Sequence, residues 1–440
     1  MKKSLFAAAA LTAIAGAAQA QSSVTVYGIL DMGYIGSNAR EVAASGAVNK
    51  IQKSAFSNGA EQTSRLGFKG TEDLGGGASA FFTVELGLTP QNSELSGGTA
   101  NDKIQNTTQA SGSAVDNRQS FVGLKKNGLG QFAFGRQYTV IFNAAAATDP
   151  GQLNNVVGNV VYNSGSAYTA DALGSGTNNN IGFTNRASNN VTFKTDSFSG
   201  FTASGMYAMA NQNSTIQGGS LTPVAPTAVT AGGNTNWNGW GLGADFTWQK
   251  LYLNASYQSF KTFYSNPVQA TSATTVNLNS AAATSGQVTG TGVLWAGSQN
   301  LADKQTYVAG TYDFGILKAY AQWVGRKVQQ DNTTALSPAG AQLNRTAEQI
   351  GVRSYITPTI EAWGSIGMGT YKGPSTSATS YVQAPDVKFL GWQLGSNYYL
   401  SKRTNLYAIY GQQQSTSSTP QTLGSGNSAN QYALGVRHTF

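Results

Sequence analysis

The sequence of 440 residues predicts an all-β chain, closed as a 16-stranded antiparallel transmembrane β-barrel. Three observations carry that expectation. Apolar and polar side chains take turns along segments of about ten residues, the mark of a strand with two unlike faces. The connections alternate between tight turns and long Gly/Ser/Thr/Asn-rich loops. Beyond the first twenty residues, no stretch approaches the 18 or so consecutive apolar residues that a membrane helix needs.

The N-terminal segment reads differently from the rest. Lys2 and Lys3 lead into an apolar run from Leu5 to Ala15 and then to Ala18-Gln19-Ala20, the pattern of a secretory signal with an A-x-A cleavage site. Cleavage after Ala20 leaves residues 21–440 as one barrel domain, with 25 Lys+Arg against 19 Asp+Glu. Cysteine is absent and His438 is the sole histidine. That composition excludes thiol catalysis, histidine-based triads and multi-histidine or cysteine metal sites, so no cofactor is expected.

Sixteen strands follow in order at roughly 22–35, 63–72, 77–88, 116–127, 129–139, 185–196, 200–210, 238–249, 251–262, 303–313, 315–328, 345–356, 359–371, 387–400, 403–413 and 430–440. The eighth shows the pattern: Trp240, Leu242, Ala244, Phe246 and Trp248 alternate with Gly239, Gly241, Gly243, Asp245 and Thr247. "ILKAYAQWVG" and "FLGWQLGSNYY" repeat it, and so does the terminal "QYALGVRHTF". Seven connections are tight, among them "NGLG", "WQKL", "YDFG" and "LSKR", with turn residues or no room for more. Eight are long, the third (about 140–184) and fifth (about 263–302) most of all. An even count of strands with turns at one end and loops at the other fits a closed barrel. Closure satisfies every backbone group inside lipid. The apolar face then meets lipid, and the polar face lines a lumen wide enough for water. Trp240, Trp248, Tyr257, Tyr312, Trp323, Tyr398 and Tyr432 fall toward strand ends, as an interfacial girdle requires.

Five stretches, "SSVTVYGILDMGY", "SRLGFKGTEDLGGG", "NRQSFVGLKK", "GQFAFGRQYT" and "YALGVRHTF", resemble the trimeric general porins of proteobacterial outer membranes, of the neisserial and burkholderial kind. The resemblance implies short periplasmic turns, long extracellular loops and a long third loop folded into the lumen. It also implies a homotrimer in outer-membrane lipid that passes small hydrophilic solutes and ions. A C-terminal aromatic in an alternating last strand would address the outer-membrane assembly machinery. Phe440, Val436, Leu434 and Tyr432 match that pattern, with His438 its one polar departure, and the last strand would pair with the first.

Alternation around Leu66 and Phe68 turns Arg65 and Lys69 toward the lumen. By resemblance, Arg118 and Arg186 join Arg65 as a basic wall facing the third loop, with Arg136 near where that loop departs. Two loop acids are available to oppose them, Asp149 and Asp171. At about 7 Å a unit charge is worth about 0.6 kcal/mol to an anion even in water, so three arginines enrich anions roughly tenfold or more before screening. Weak anion selectivity is therefore expected; the alternative is that these arginines are solvated strand residues with no part in selectivity.

Other functions fit poorly. "GTEDLGGG" lacks the G-K-[ST] ending of a phosphate loop, and no acid pair can be placed for glycosidase chemistry. Basic residues are scattered singly, so nucleic acid is not an expected partner. A β-rich secreted adhesin would need a fixed repeat that is not visible. A channel specific for one solute stays open as an alternative, with Tyr27, Tyr138, Tyr320 and Trp363 as candidate lumen aromatics.

Overall fold

The computed structural model describes residues 23–42, 46–91, 95–96, 115–162, 186–212, 234–265, 274–275, 294–295, 299–330, 342–372, 386–419 and 422–440. The secretory segment and Asp171 lie outside the described residues.

The strands are β1 (Ser23–Val42), β2 (Val48–Asn58), β3 (Arg65–Gly75), β4 (Ala78–Gly87), β5 (Asp116–Lys126), β6 (Gly130–Tyr138), β7 (Arg186–Thr195), β8 (Phe201–Gln212), β9 (Asn234–Trp248) and β10 (Leu251–Ser265). They continue with β11 (Thr274–Thr275), β12 (Leu294–Trp295), β13 (Gln299–Asp313), β14 (Lys318–Gln330), β15 (Gln342–Thr357), β16 (Ile360–Lys372), β17 (Val387–Tyr399), β18 (Thr404–Thr419) and β19 (Thr422–Thr439). One helix, α1 (Val140–Thr148), opens the third long loop, with the Thr139 hydroxyl accepting from the Phe142 N–H as its N-cap.

Sixteen of the strands close a ring. Each pairs antiparallel with its neighbours, and β1 pairs with β19 from Ile29↔Thr439 to Val42↔Gly426. Gly28 and Phe440 exchange both backbone hydrogen bonds at the seam. The lower part of β1 also pairs with β3 through Ser23↔Thr71 to Ile29↔Arg65, while its upper part pairs with β2 through Met32↔Asn58 to Val42↔Val48. β2 is thus an extra strand above β3, on an edge that β3 is too short to cover. β11 and β12 form a separate two-residue ladder within the fifth loop.

Several strands outrun their expected limits, and the reason is physical. β18 runs to Thr419 and β19 starts at Thr422, joined by pairs such as Gln413↔Ala429 and Ser415↔Asn427. Beyond the membrane both faces of a strand meet water, so the hydrophobic contrast vanishes while the hydrogen-bonded ladder continues.

Inside and outside follow the alternation. On β19 Ala433 is fully buried, while Leu434 is 57% exposed, with Tyr432, Val436, His438 and Phe440 on the same outer face. The aromatics Trp248, Tyr312 and Tyr398 are exposed beside the short turns, and Trp240 and Trp323 are exposed higher up. One two-residue turn, between β9 and β10, needs Gln249 in the left-handed region at φ 50°. Among the described residues no helix is long and apolar enough to cross a membrane; the strands make the crossing.

The lumen wall is not uniformly polar, which corrects the simple two-face expectation. Val140, Ile141, Ala144 and Ala145 of α1, with Val160, Val161 and Tyr162, pack on inward Met206, Phe260, Tyr307, Val324, Ala347 and Phe389. The main apolar core therefore lies inside the barrel, between the third loop and the wall from β8 to β17.

Candidate constriction of the channel

Inward glutamines hold the backbone of the third loop where its own secondary structure ends. Gln258 Oε1 accepts from the Ile141 N–H at 3.5 Å, Gln349 Oε1 from Val160 at 3.1 Å and Gln431 Oε1 from Val157 at 2.9 Å. Gln393 Nε2 donates to Val157 O at 3.1 Å, and the Asn155 N–H donates to Ala60 O at 2.9 Å. Arg353 donates to Pro150 O and, at 2.6 Å, to Glu361 Oε2. These contacts fasten the loop to β10, β15, β17 and β19 and to the segment before β3. Each satisfies a buried polar group that would otherwise cost about 1–3 kcal/mol.

Asp149 belongs to this fastening and does not face a basic wall. Its carboxylate accepts from the Leu153 N–H at 2.8 Å, Asn159 at 2.7 Å and Gln349 at 3.1 Å. Burial pushes its carboxyl above the ordinary range, against the lowering effect of those donors and of nearby Arg353.

On the other arc, the structure brings Arg65, Arg118 and Arg186 together. They rise from β3, β5 and β7 around the single carboxylate of Glu85 on β4 and the ring of Tyr138 on β6. Arg118 Nε lies 2.8 Å from Glu85 Oε1, and Arg65 Nη1 lies 4.0 Å from the same oxygen. Tyr27 donates to Glu85 Oε2 at 3.1 Å, and Arg118 Nη2 donates to the Tyr138 hydroxyl at 2.9 Å. The Arg186 guanidinium stands 5.3 Å from the Tyr138 ring centroid. Tyr138 in turn stacks on Phe142 of α1 at 4.2 Å, joining the basic cluster to the root of the loop. Arg118 and Arg186 are buried, whereas the Arg65 side chain keeps 20% of its surface open.

The remaining basic candidates stand apart. Arg136 follows the exposed Phe132 and Phe134 in two-residue steps, and it bonds Asn117 O and Ser188 Oγ, each at 2.8 Å. Lys69 is exposed near the short turn, with its ammonium 5.4 Å from the Tyr27 ring centroid. Tyr320 and Trp363 are buried on the inner wall.

The sequence reading missed Glu85, although the signal was present: it alternates with Phe82, Val84 and Leu86, whose parity places it inward. It also missed three basic residues on the far arc, each matched to its own acid. Arg326 lies 2.8 Å from Asp303, Arg437 lies 3.5 Å from Glu61, and Arg353 pairs with Glu361. On the same arc the buried Arg345 instead donates to the Val160 carbonyl of the third loop. Around Glu85 the pairing is shared: Arg118 bonds the carboxylate and Arg65 lies 4.0 Å from it, while Arg186 stands beside them against the Tyr138 ring.

A closed barrel with an apolar exterior, a polar interior and an inward loop defines a transmembrane channel. A profile of the family described as Gram-negative porin matches residues 7–418, and the chain belongs to that family. It is 28% identical over 436 residues to an outer membrane porin protein of Bordetella pertussis, covering 93% of each chain. It is 35% identical over 144 residues to the major outer membrane protein P.IB of Neisseria meningitidis serogroup B, or 32% of this chain and 35% of that one. Among solved structures it is similar to an anion-selective porin from Comamonas acidovorans, at a TM-score of 0.61 and 21% identity, covering 96% of this chain and all of that one. The protein is an outer-membrane porin, a water-filled channel for passive diffusion of small hydrophilic solutes and ions.

Proposed function

We propose that this porin is weakly anion-selective, and that Arg65, Arg118 and Arg186 form the basic side of its constriction. The observation that carries the proposal is the convergence of Arg65, Arg118 and Arg186 on one arc of the lumen wall, around Glu85 and Tyr138. On the far arc Asp303, Glu61 and Glu361 each meet one arginine. Arg65 supplies the open end of that cluster. Excess charge in a wet lumen steers solutes without binding them tightly. The anion-selective porin of the same fold supports the reading. Arg136 and Lys69 add charge at the margins of the cluster, and Asp149 serves to seat the loop.

The test is the reversal potential of the purified protein across a planar bilayer in a salt gradient. Anion preference is expected, and clear cation preference overturns the proposal. The same recording bears on assembly. We propose a homotrimer exported through residues 1–20, with the outward row Tyr432, Leu434, Val436, His438 and Phe440 presented to the assembly machinery. Closure in three equal conductance steps is expected, and single-step closure counts against the trimer.

A further inference from the structure

Outside the barrel, a row of lysines crosses five strands near their extracellular ends. Lys261 on β10, Lys304 on β13, Lys372 on β16 and Lys388 on β17 are exposed, and Lys327 on β14 is half-exposed. Alternation puts all five on the outer wall. Lys304 shares its face with exposed Val308, Lys327 with Trp323, Lys372 with Met368 and Lys388 with Leu394. Their inward neighbours Asp303, Gln305, Arg326 and Phe389 are buried.

The register draws the row together. Lys304 stands directly opposite Lys327, Lys327 opposite Asn344, and Asn344 opposite Lys372. Like charges directly opposed on one face, with Cβ atoms about 5 Å apart, destabilise a sheet. Two acids share the zone. Asp386 lies 3.5 Å from Lys372, and Glu348 lies with Lys388 in a groove between Trp323, Met368 and Leu390. Among the described residues, Lys304 and Lys327 make no ion pair, so the strip keeps a net positive charge.

Height decides what meets it. Each lysine lies about nine to twelve residues above the periplasmic turn of its strand. At about 3.3 Å per residue and a tilt near 40°, that is roughly 23–30 Å. The apolar band of such barrels is about 25 Å tall. Below the lysines the outer wall is apolar, with Val308, Trp323, Ile350, Ile366 and Leu394 exposed. A ligand covering both zones needs an anionic head at the upper border and hydrocarbon below it.

We infer that this strip is a docking site for a phosphate-bearing lipid of the outer leaflet, with a headgroup phosphate between Lys304 and Lys327 and acyl chains along the wall beneath. The phosphate turns an opposed pair of like charges into a bridged one. The strip lies outside the pore, so the inference is independent of ion selectivity.

The test compares lipid retention by the full-length detergent-solubilised protein in native mass spectrometry, using phosphatidic acid, phosphatidylcholine and inorganic phosphate as probes. Phosphatidic acid is expected to bind more tightly than phosphatidylcholine. Removing two lysines near the membrane surface should weaken phosphatidic acid binding by about tenfold or more in the Lys304→Gln/Lys327→Gln variant. Lys304→Arg/Lys327→Arg should retain binding, and so should Lys250→Gln/Lys402→Gln, which removes equal charge beside the periplasmic turns. Unchanged bilayer conductance shows that each variant is a folded barrel. Equal binding by the double glutamine variant overturns the inference. So does equal loss in the turn variant, or displacement of the lipid by inorganic phosphate, which would mark a site for free anions.

Discussion

At the residue scale, the charge around Glu85 sets the most direct expectations. Arg65 is the most open member of the cluster, so Arg65→Gln should lower the anion-to-cation permeability ratio by about two- to threefold, the worth of one unit charge at about 7 Å in water. Glu85→Gln should raise the ratio, and reversal potentials read both. Arg118 is different in kind, because it is buried against the same carboxylate. Arg118→Ala leaves Glu85 without its nearest partner in a site closed to water, at a cost of about 3–5 kcal/mol, and should lower the thermal midpoint as well as change selectivity. Asp149 carries a pH dependence with a definite sign. Its carboxyl binds a proton more readily in the folded chain than in the unfolded one. Its contribution to seating the loop is therefore complete below the ordinary value of 3.8 and is lost as pH rises through the higher folded value. Protease cleavage within the third loop should be slower at pH 4 than at pH 7, and Asp149→Asn should flatten that difference.

At the scale of elements, the third loop is held by fit as much as by hydrogen bonds. A Cβ at Gly411 would collide with Val157 O, which is backbone and cannot swing aside. Gly411→Ala should therefore leave the barrel folded while displacing the loop, seen as a changed single-channel conductance with unchanged heat resistance. The strands that carry these residues were legible from sequence because lipid on one side and water on the other imprint a period of two. Where that contrast fails, so did the reading. The upper half of β1 and all of β2 mix polar and apolar residues on both faces, so no period of two marks them as strands. The apolar inner patch at Phe260, Tyr307 and Val324 was hidden for the opposite reason, since it packs against a loop whose position no strand periodicity encodes. The loop-holding glutamines are half visible: Gln393 falls on the polar face, but nothing local says that it bonds the chain beyond α1. Arg65 could be placed from Leu66 and Phe68. Arg118 could not, because the β4–β5 register shifts at Glu85/Leu86 beside it and breaks the parity.

At the scale of the whole molecule, closure is the feature on which the rest depends. Every barrel strand has partners on both sides, so a residue that removes a backbone donor within β19 interrupts a ladder shared with β18 or β1. Leu434→Pro is expected to abolish the heat-resistant, conducting form, while Leu434→Ala, which keeps the ladder and loses only outer apolar surface, should conduct normally. Gel mobility with and without heating, followed by bilayer recording, separates the two. The loop inside the ring has a further consequence. Its described residues are bonded to the wall from β10 round to β19 and to residues 59–63 before β3, whereas the arginines stand on β3, β5 and β7. Solutes thus meet a sideways field as well as a narrowing. With the proposed basic constriction, a zwitterion or other dipolar molecule is expected to turn its negative end toward the β3–β7 wall as it passes, so that travellers are sorted by the orientation they can adopt as well as by size and net charge.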